Sequence, residues 1–292
     1  MSPPEITPDA PKAALDRAVT PSKEAPCRRD YLGNRYVSIE LSPRARGLSI
    51  GIDLAPLHRS SEDGVPAKET GRPLDLEVPV MLAEMTRTLA LVQSGGVREL
   101  AGYENLPAEL LSLRHVSIGG DSEPTQSPKF VEALEALVHL RALTRFPFFK
   151  LILSTNACEF HRPEVIEALR LFTPRDEIWV RYDPESSRPA DPTAPPTAEL
   201  RQQISRLARQ RPVILQGHFS AVPGESPVGP EIEAYAQSLK AMKDDGAKIP
   251  LVQVYSESGP NTEAPRNPLP LRTLFDIARH VRTVSGLTVE VF

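Results

Sequence analysis

The residues of this sequence that could do chemistry gather just after short apolar runs. Asp53 closes "LSIGIDL" (Leu48 to Leu54), and the turn "GGDSEPT" (Gly119 to Thr125) closes "HVSIGG" (His115 to Gly120). "STNA" (Ser154 to Ala157) ends "KLILST", and Arg181 and Asp183 end "EIWVRYD". Gln216 and His218 lie in "PVILQGHF", and Gln253, Tyr255 and Glu257 come at the end of "PLVQVYS". The carboxylates Asp53, Glu123, Asp183 and Glu257 are suited to general acid–base work, and His218 is the histidine best placed to join them. His58, Glu62 and Asp63, in the loop "HRSSEDGVPA" (His58 to Ala67), have the types that suit Mn, Fe or Zn. Charged side chains in such a loop are more often simply solvated. "CEFH" (Cys158 to His161) has ligand-like spacing but no partner pair. No serine sits in a G-x-S-x-G turn, so no nucleophile triad can be assembled. Neither G-x-G-x-x-G after the first run nor G-x-x-x-x-G-K-[ST] anywhere is present, which argues against a dinucleotide or P-loop site.

The elements that must position these residues repeat one unit. Apolar runs of strand length alternate with stretches whose apolar residues recur every three or four positions. The helical stretches are "VPVMLAEMTRTLALVQS", "SPKFVEALEALVHLRAL", "RPEVIEALRLF", "TAELRQQISRLARQ", "GPEIEAYAQSLKAMKDD" and "LPLRTLFDIARHVRTVS". In the second, Ser127 is an N-cap candidate, with Pro128 at the first helical position. A short strand, "LTVEVF", closes the chain. Six strand–helix pairs predict an α/β fold with a parallel sheet, whose strands read as covered on both faces. Right-handed crossovers leave an open doubly wound sheet or a complete or partial barrel. The barrel is preferred, because polar residues follow so many strands, and a barrel builds its site at the C-terminal ends of its strands.

Composition narrows the function classes. The chain has 292 residues, 40% hydrophobic and 25% charged, as expected of a globular protein. The formal net charge of −4 offers no bulk attraction to nucleic acid or to an anionic membrane. No apolar run approaches the roughly 20 residues of a spanning helix, and no secretion-signal core opens the chain. A cytoplasmic protein is expected. Residues 1–27 combine Pro, Ser, Thr, Glu and Ala without periodicity, and are expected to be a disordered tail before one domain over 28–292. "RRDYLGNR" (Arg28 to Arg35), followed by Arg44 and Arg46, reads as ordinary surface or as a face for an anionic partner. The only two cysteines, Cys27 and Cys158, cannot alone supply a three-thiolate site.

Taken in order and spacing, "LSIGIDLAP", "GGDSEPTQSPKF", "LSTNA" and "EIWVRYD" resemble the radical SAM superfamily, over about Arg44 to Phe292. "VILQGHF" and "VQVYSESGPNTEAPRNPLPLRTLFDIARHV" fall where that family has its later strands and last helix. The resemblance implies a partial (βα)6 TIM-like barrel. Family members hold a 4Fe–4S cluster on a Cys-x-x-x-Cys-x-x-Cys loop, and its open iron chelates S-adenosylmethionine. That spacing falls here on Ser60, Gly64 and Ala67, none of which is a thiolate ligand. A cluster is therefore not expected, nor the radical chemistry that needs it. The resemblance implies an S-adenosylmethionine pocket from Gly119, Gly120, Glu123, Ser154, Thr155, Asn156, Gln253 and Tyr255, with Val252 to Tyr255 beside the adenine and Ser122 in place of the family's second glycine.

Three functions follow from this departure. The first is a pseudoenzyme that binds S-adenosylmethionine and supports a protein partner, such as a true radical SAM enzyme. The second is an enzyme with non-radical chemistry on a small molecule in the barrel pocket. The third is a cluster completed by a partner's cysteines. Neither a nucleic acid nor a membrane is expected as partner.

Overall fold

The structure is a computed structural model that describes residues 32–42, 44–56, 75–120, 122–143, 145–183, 197–221, 229–256 and 267–292. The expected tail, 1–27, lies outside these residues. Along the chain the elements are β1 (Val37–Ser42), β2 (Gly47–Ile52), α1 (Val78–Ser94), β3 (Leu113–Ile118), α2 (Phe130–Ala142), β4 (Leu151–Thr155), α3 (Pro163–Ala168) and β5 (Glu177–Arg181). Then come α4 (Thr197–Gln210), β6 (Ile214–His218), β7 (Ser220–Ala221), α5 (Gly229–Asp244), β8 (Leu251–Tyr255), β9 (Asn267–Pro268), α6 (Leu271–Ser285) and β10 (Val289–Val291).

Eight strands form one sheet in the order β1-β2-β3-β4-β5-β6-β8-β10, and β7 pairs with β9 in a small antiparallel arm. From β2 onward every neighbour in the large sheet is parallel. The order never reverses, and one apolar cluster takes residues from all six helices and from a single face of the sheet. Met81, Leu137, Val165, Ile204, Leu239 and Val281 meet Ile50, Val116, Leu151, Val180, Leu215 and Val252 there. A doubly wound sheet would reverse its order and carry helices on both faces. The fold is thus an α/β partial barrel, a sheet curled with its helices outside.

Three details differ from the sequence reading. The sheet gains an antiparallel edge strand, β1, which alternates buried and half-buried residues and so has no continuous apolar run. It is held by Glu84 of α1, whose carboxylate accepts from the backbone N–H groups of Arg35, Tyr36 and Val37 at 2.8, 2.9 and 3.2 Å. Helix α2 starts at Phe130, not Pro128. Ser127 shapes the turn before it, its hydroxyl accepting from Lys129 N at 3.3 Å and its carbonyl from Phe130 N at 3.0 Å. Nor do helices cover both faces of the strands. Their inner face carries Ser49, His115, Ser154, Gln216 and Gln253 around a small apolar band of Ile152, Trp179 and Ile214. Among the described residues no helix is long and apolar enough to cross a membrane.

Candidate functional site

The turns after β2, β3 and β4 are locked to one another. Gly119 N donates to Ile52 O at 2.9 Å, continuing the β2–β3 pairing beyond the strands. Asp53 is buried, and its Oδ1 accepts from Ala55 N at 3.1 Å and from Ser122 Oγ at 2.9 Å. Ser122 thus ties the second turn to the first. A Cβ on Gly120 would stand 2.3 Å from Asp53 Oδ2, and one on Gly119 would stand 2.9 Å from Ser154 Cβ. The glycine pair is required by these close approaches.

Glu123 joins the second turn to the third. Its Oε1 accepts from Thr125 N at 3.2 Å, Thr125 Oγ1 at 2.5 Å and Thr155 Oγ1 at 2.6 Å, and its Oε2 from Asn156 N at 2.7 Å. Removal from water raises its pKa, against the lowering effect of those same hydrogen bonds. The third turn is closed by its own side chains. Thr155 Oγ1 accepts from Ala157 N, and Asn156 Oδ1 from Cys158 N, each at 2.9 Å. They hold Ala157 in a left-handed conformation, φ 62°. The Cys158 thiol beyond it is pushed up to about 12 by burial and by the carboxylates of Glu123 and Glu159, and Gln126 Nε2 donates to its sulfur at 3.4 Å.

The later strands supply the other half of the rim. Asp183 is buried and accepts from His218 N at 2.8 Å and Arg181 Nε at 2.5 Å. Gln216 and Gln253 are register partners on β6 and β8, and Gln216 Nε2 donates to Gln253 Oε1 at 2.7 Å. One pair further on, the rings of His218 and Tyr255 lie 5.3 Å apart. The Arg44 guanidinium, from the β1–β2 turn, sits 4.0 Å above the Tyr255 ring.

The structure therefore brings Asp53, Gly119, Glu123, Thr155 and Asn156 together through hydrogen-bonded turns, with Gly120 packed on Asp53 and Ser154 on Gly119, and Asp183, His218, Gln253 and Tyr255 onto adjoining strands. His58, Ser60, Glu62, Asp63, Gly64, Ala67 and Glu257 lie outside the described residues. Among the described residues no group of three or more His, Cys, Asp or Glu side chains could hold a metal ion. Sequence reasoning did not single out Arg44 as a ring contact, Ser122 as the partner of Asp53, or His115 and Trp179 on the inner wall. Their rings meet edge to face at 5.5 Å, and Trp179 Nε1 donates to Glu177 Oε2 at 2.8 Å. The period-two alternation within "LRHVSI" and "EIWVR" was the available signal, since it puts both on the face away from the helices.

No protein-family model matches the chain, and a search of curated proteins found no match. Among solved structures it is similar to TYW1 with a lysine-pyruvate adduct bound, at 10% identity and a TM-score of 0.51, over 86% of this chain and 84% of that one. Archaeal TYW1 is 12% identical with a TM-score of 0.47, over 86% and 84% of the two chains. A domain of pyruvate-formate lyase-activating enzyme from Bacteroides vulgatus ATCC 8482 is 13% identical with a TM-score of 0.44, over 61% and 98%. At such identity the first of these carries a likeness of fold alone. The chain shares the fold of TYW1, its parallel sheet curled into a partial barrel with the helices outside.

Proposed function

We propose that the rim of the half-barrel binds S-adenosylmethionine without an iron–sulfur cluster, and that the chain serves as a non-radical companion of a protein partner, such as a radical SAM enzyme with its own cysteines. The observation that carries this reading is the bonded group of turns around Asp53 and Glu123. It gives a rigid rim with backbone and amide groups at close quarters, which is what a small polar ligand requires.

The cluster does not fit the donors. Of the two thiols in the sequence, Cys158 follows β4 rather than β2, is buried, and keeps its proton to about pH 12. Iron–sulfur clusters need accessible thiolates, and this thiol is neither accessible nor ionised at neutral pH. S-adenosylmethionine fits better. Glu123 Oε2 accepts one hydrogen bond in the described structure and so has capacity for an ammonium donor. Gln253 and Tyr255 stand on β8, in the later part of the sheet. When bound, the molecule would supply a sulfonium and a nucleoside, and the chain's part is to hold them.

Calorimetric titration of the purified chain with S-adenosylmethionine, with iron assayed on the same sample, tests the reading. Saturable binding at negligible iron is the expected outcome. An iron-dependent signal, or no binding, overturns it, and co-purification without a specific partner removes the companion role.

The raised pKa of Glu123 favours a second reading, in which this carboxyl transfers protons in a non-radical reaction on a small molecule. A turnover that survives Glu123→Gln would exclude it.

A further inference from the structure

The end of the sheet away from the rim exposes apolar side chains beside an excess of positive charge. Phe148, Asp176 and Arg211 lie just before the first residues of β4, β5 and β6, at the N-terminal ends of those strands. Three of the six large apolar side chains exposed among the described residues belong to the segments around them: Leu143, Phe148 and Leu171, at 46%, 50% and 36%. The Phe148 ring lies 5.0 Å from the Arg141 guanidinium and 5.4 Å from that of Arg175. One strand further on, the Arg211 guanidinium lies 5.4 Å from the ring of Phe172, the neighbour of Leu171.

Residues 143–150, 171–177 and 209–213 carry Arg145, Lys150, Arg175, Arg209 and Arg211 against only Asp176 and Glu177, in a chain whose net charge is −4. Both carboxylates are already engaged, Asp176 with Arg141 at 2.7 Å and Glu177 with Lys150 at 2.9 Å. Arg211 donates to the Leu169 carbonyl, but its buried Nε has no hydrogen-bond partner. Removal from water lowers its pKa, and the nearby Asp176 charge does not make up the difference. The chemistry of a barrel sits at the C-terminal ends of its strands, so this opposite end is open to another protein. Phe and Arg are enriched where proteins meet, and a gathered apolar patch marks such a surface. A nucleic acid would call for a longer track of cations along its phosphates.

We propose that this end of the barrel docks an acidic segment of a partner protein, with a large apolar side chain seated against Phe148 and Leu143 and carboxylates facing Arg175 and Arg211. The inference deepens the companion role above and rests on it, giving the partner a face that leaves the rim open.

The probes are a synthetic peptide of Glu and Leu and a Lys and Leu peptide of the same pattern, each titrated into the full chain with rates recorded. The Glu–Leu peptide should bind saturably and the Lys–Leu peptide at least tenfold more weakly. Phe148→Ser should lose at least tenfold in affinity through faster dissociation. Arg175→Glu should lose as much through slower association and should flatten the dependence on salt. Both residues are exposed, and Arg145→Glu carries the same expectation in smaller measure if either variant fails to fold. No saturable binding, equal binding of the Lys–Leu peptide, or variants that bind like the parent chain overturn the proposal. Tighter binding of single-stranded RNA or of phosphatidylserine vesicles overturns it as well. S-adenosylmethionine is titrated into the same samples. Its binding without the Glu–Leu peptide removes this face and leaves the rim. Peptide binding without it removes the rim and leaves this face.

Discussion

Gly120 and Asp53 show how little freedom single residues at the rim retain. With Asp53 Oδ2 at 2.3 Å from where a Cβ would stand, Gly120→Ala must push the two turns apart. Overpacking of this kind costs about 1–3 kcal/mol, and chemical denaturation should show a loss of that size. His115 makes a different prediction. Its folded pKa of about 4 lies below the ordinary 6.5, so between those values the unfolded chain binds a proton that the folded one refuses. The stability tied to this group is whole above pH 6.5 and drains away as pH falls toward 4, by up to ~3 kcal/mol. Thermal melts of His115→Phe should lack that part of the acid slope. At this scale the sequence was readable in residue type but not in role. Asp53, Glu123 and Asp183 stood out as carboxylates, and each proves to be an acceptor that fastens a turn. Spacing along a chain does not say which backbone N–H will turn toward a carboxylate from another strand.

Elements were easier to read than their edges. The parallel strands and α1 or α4 announce themselves because burial against a shared core imposes an apolar pattern of fixed period. β1 escaped because an antiparallel edge strand needs only one apolar face, and its start is fastened by a carboxylate on a helix far along the chain. Glu84→Ala would strip three backbone N–H groups of their acceptor, at about 1.5–3 kcal/mol for a bond to a charged group, and hydrogen exchange should accelerate at Tyr36 and Val37 first. A second junction sits at the opposite end of the sheet. Asp176 accepts from Arg141 at 2.7 and 3.0 Å, from Leu151 N at 2.7 Å, and from Thr173. Burial would raise its pKa, but Arg141 and the backbone donors outweigh that and hold it below the ordinary carboxylate range. Its contribution is therefore present above the ordinary aspartate pKa and is lost as pH falls through the lower folded value. Asp176→Ala leaves Arg141 buried without its partner and should cost about 3–5 kcal/mol, read as a drop in the denaturation midpoint.

For the whole molecule, curvature follows from strands that are staggered as well as parallel. The stagger explains why the β1–β2 turn, which precedes the N-terminal end of β2, meets the C-terminal end of β8. Arg44 reaches the ring of Tyr255, and Arg46 lies 3.9 Å from Glu290 on β10. Sequence patterning could suggest a barrel but not this meeting, since it depends on how far the sheet curls. The edges β1 and β10 are not paired by backbone among the described residues. Where they approach, the ion pair is 79% and 47% exposed, worth no more than about 1 kcal/mol and open to screening. The open side of the partial barrel is thus bridged only by side chains among the described residues, while every junction between neighbouring strands of the sheet is a hydrogen-bonded ladder. Salt should slacken that bridge first. Raising ionic strength should speed amide exchange along β1 and β10 while β4 and β5 stay protected, so that the protein breathes along a single line and the inner wall is reached from the side.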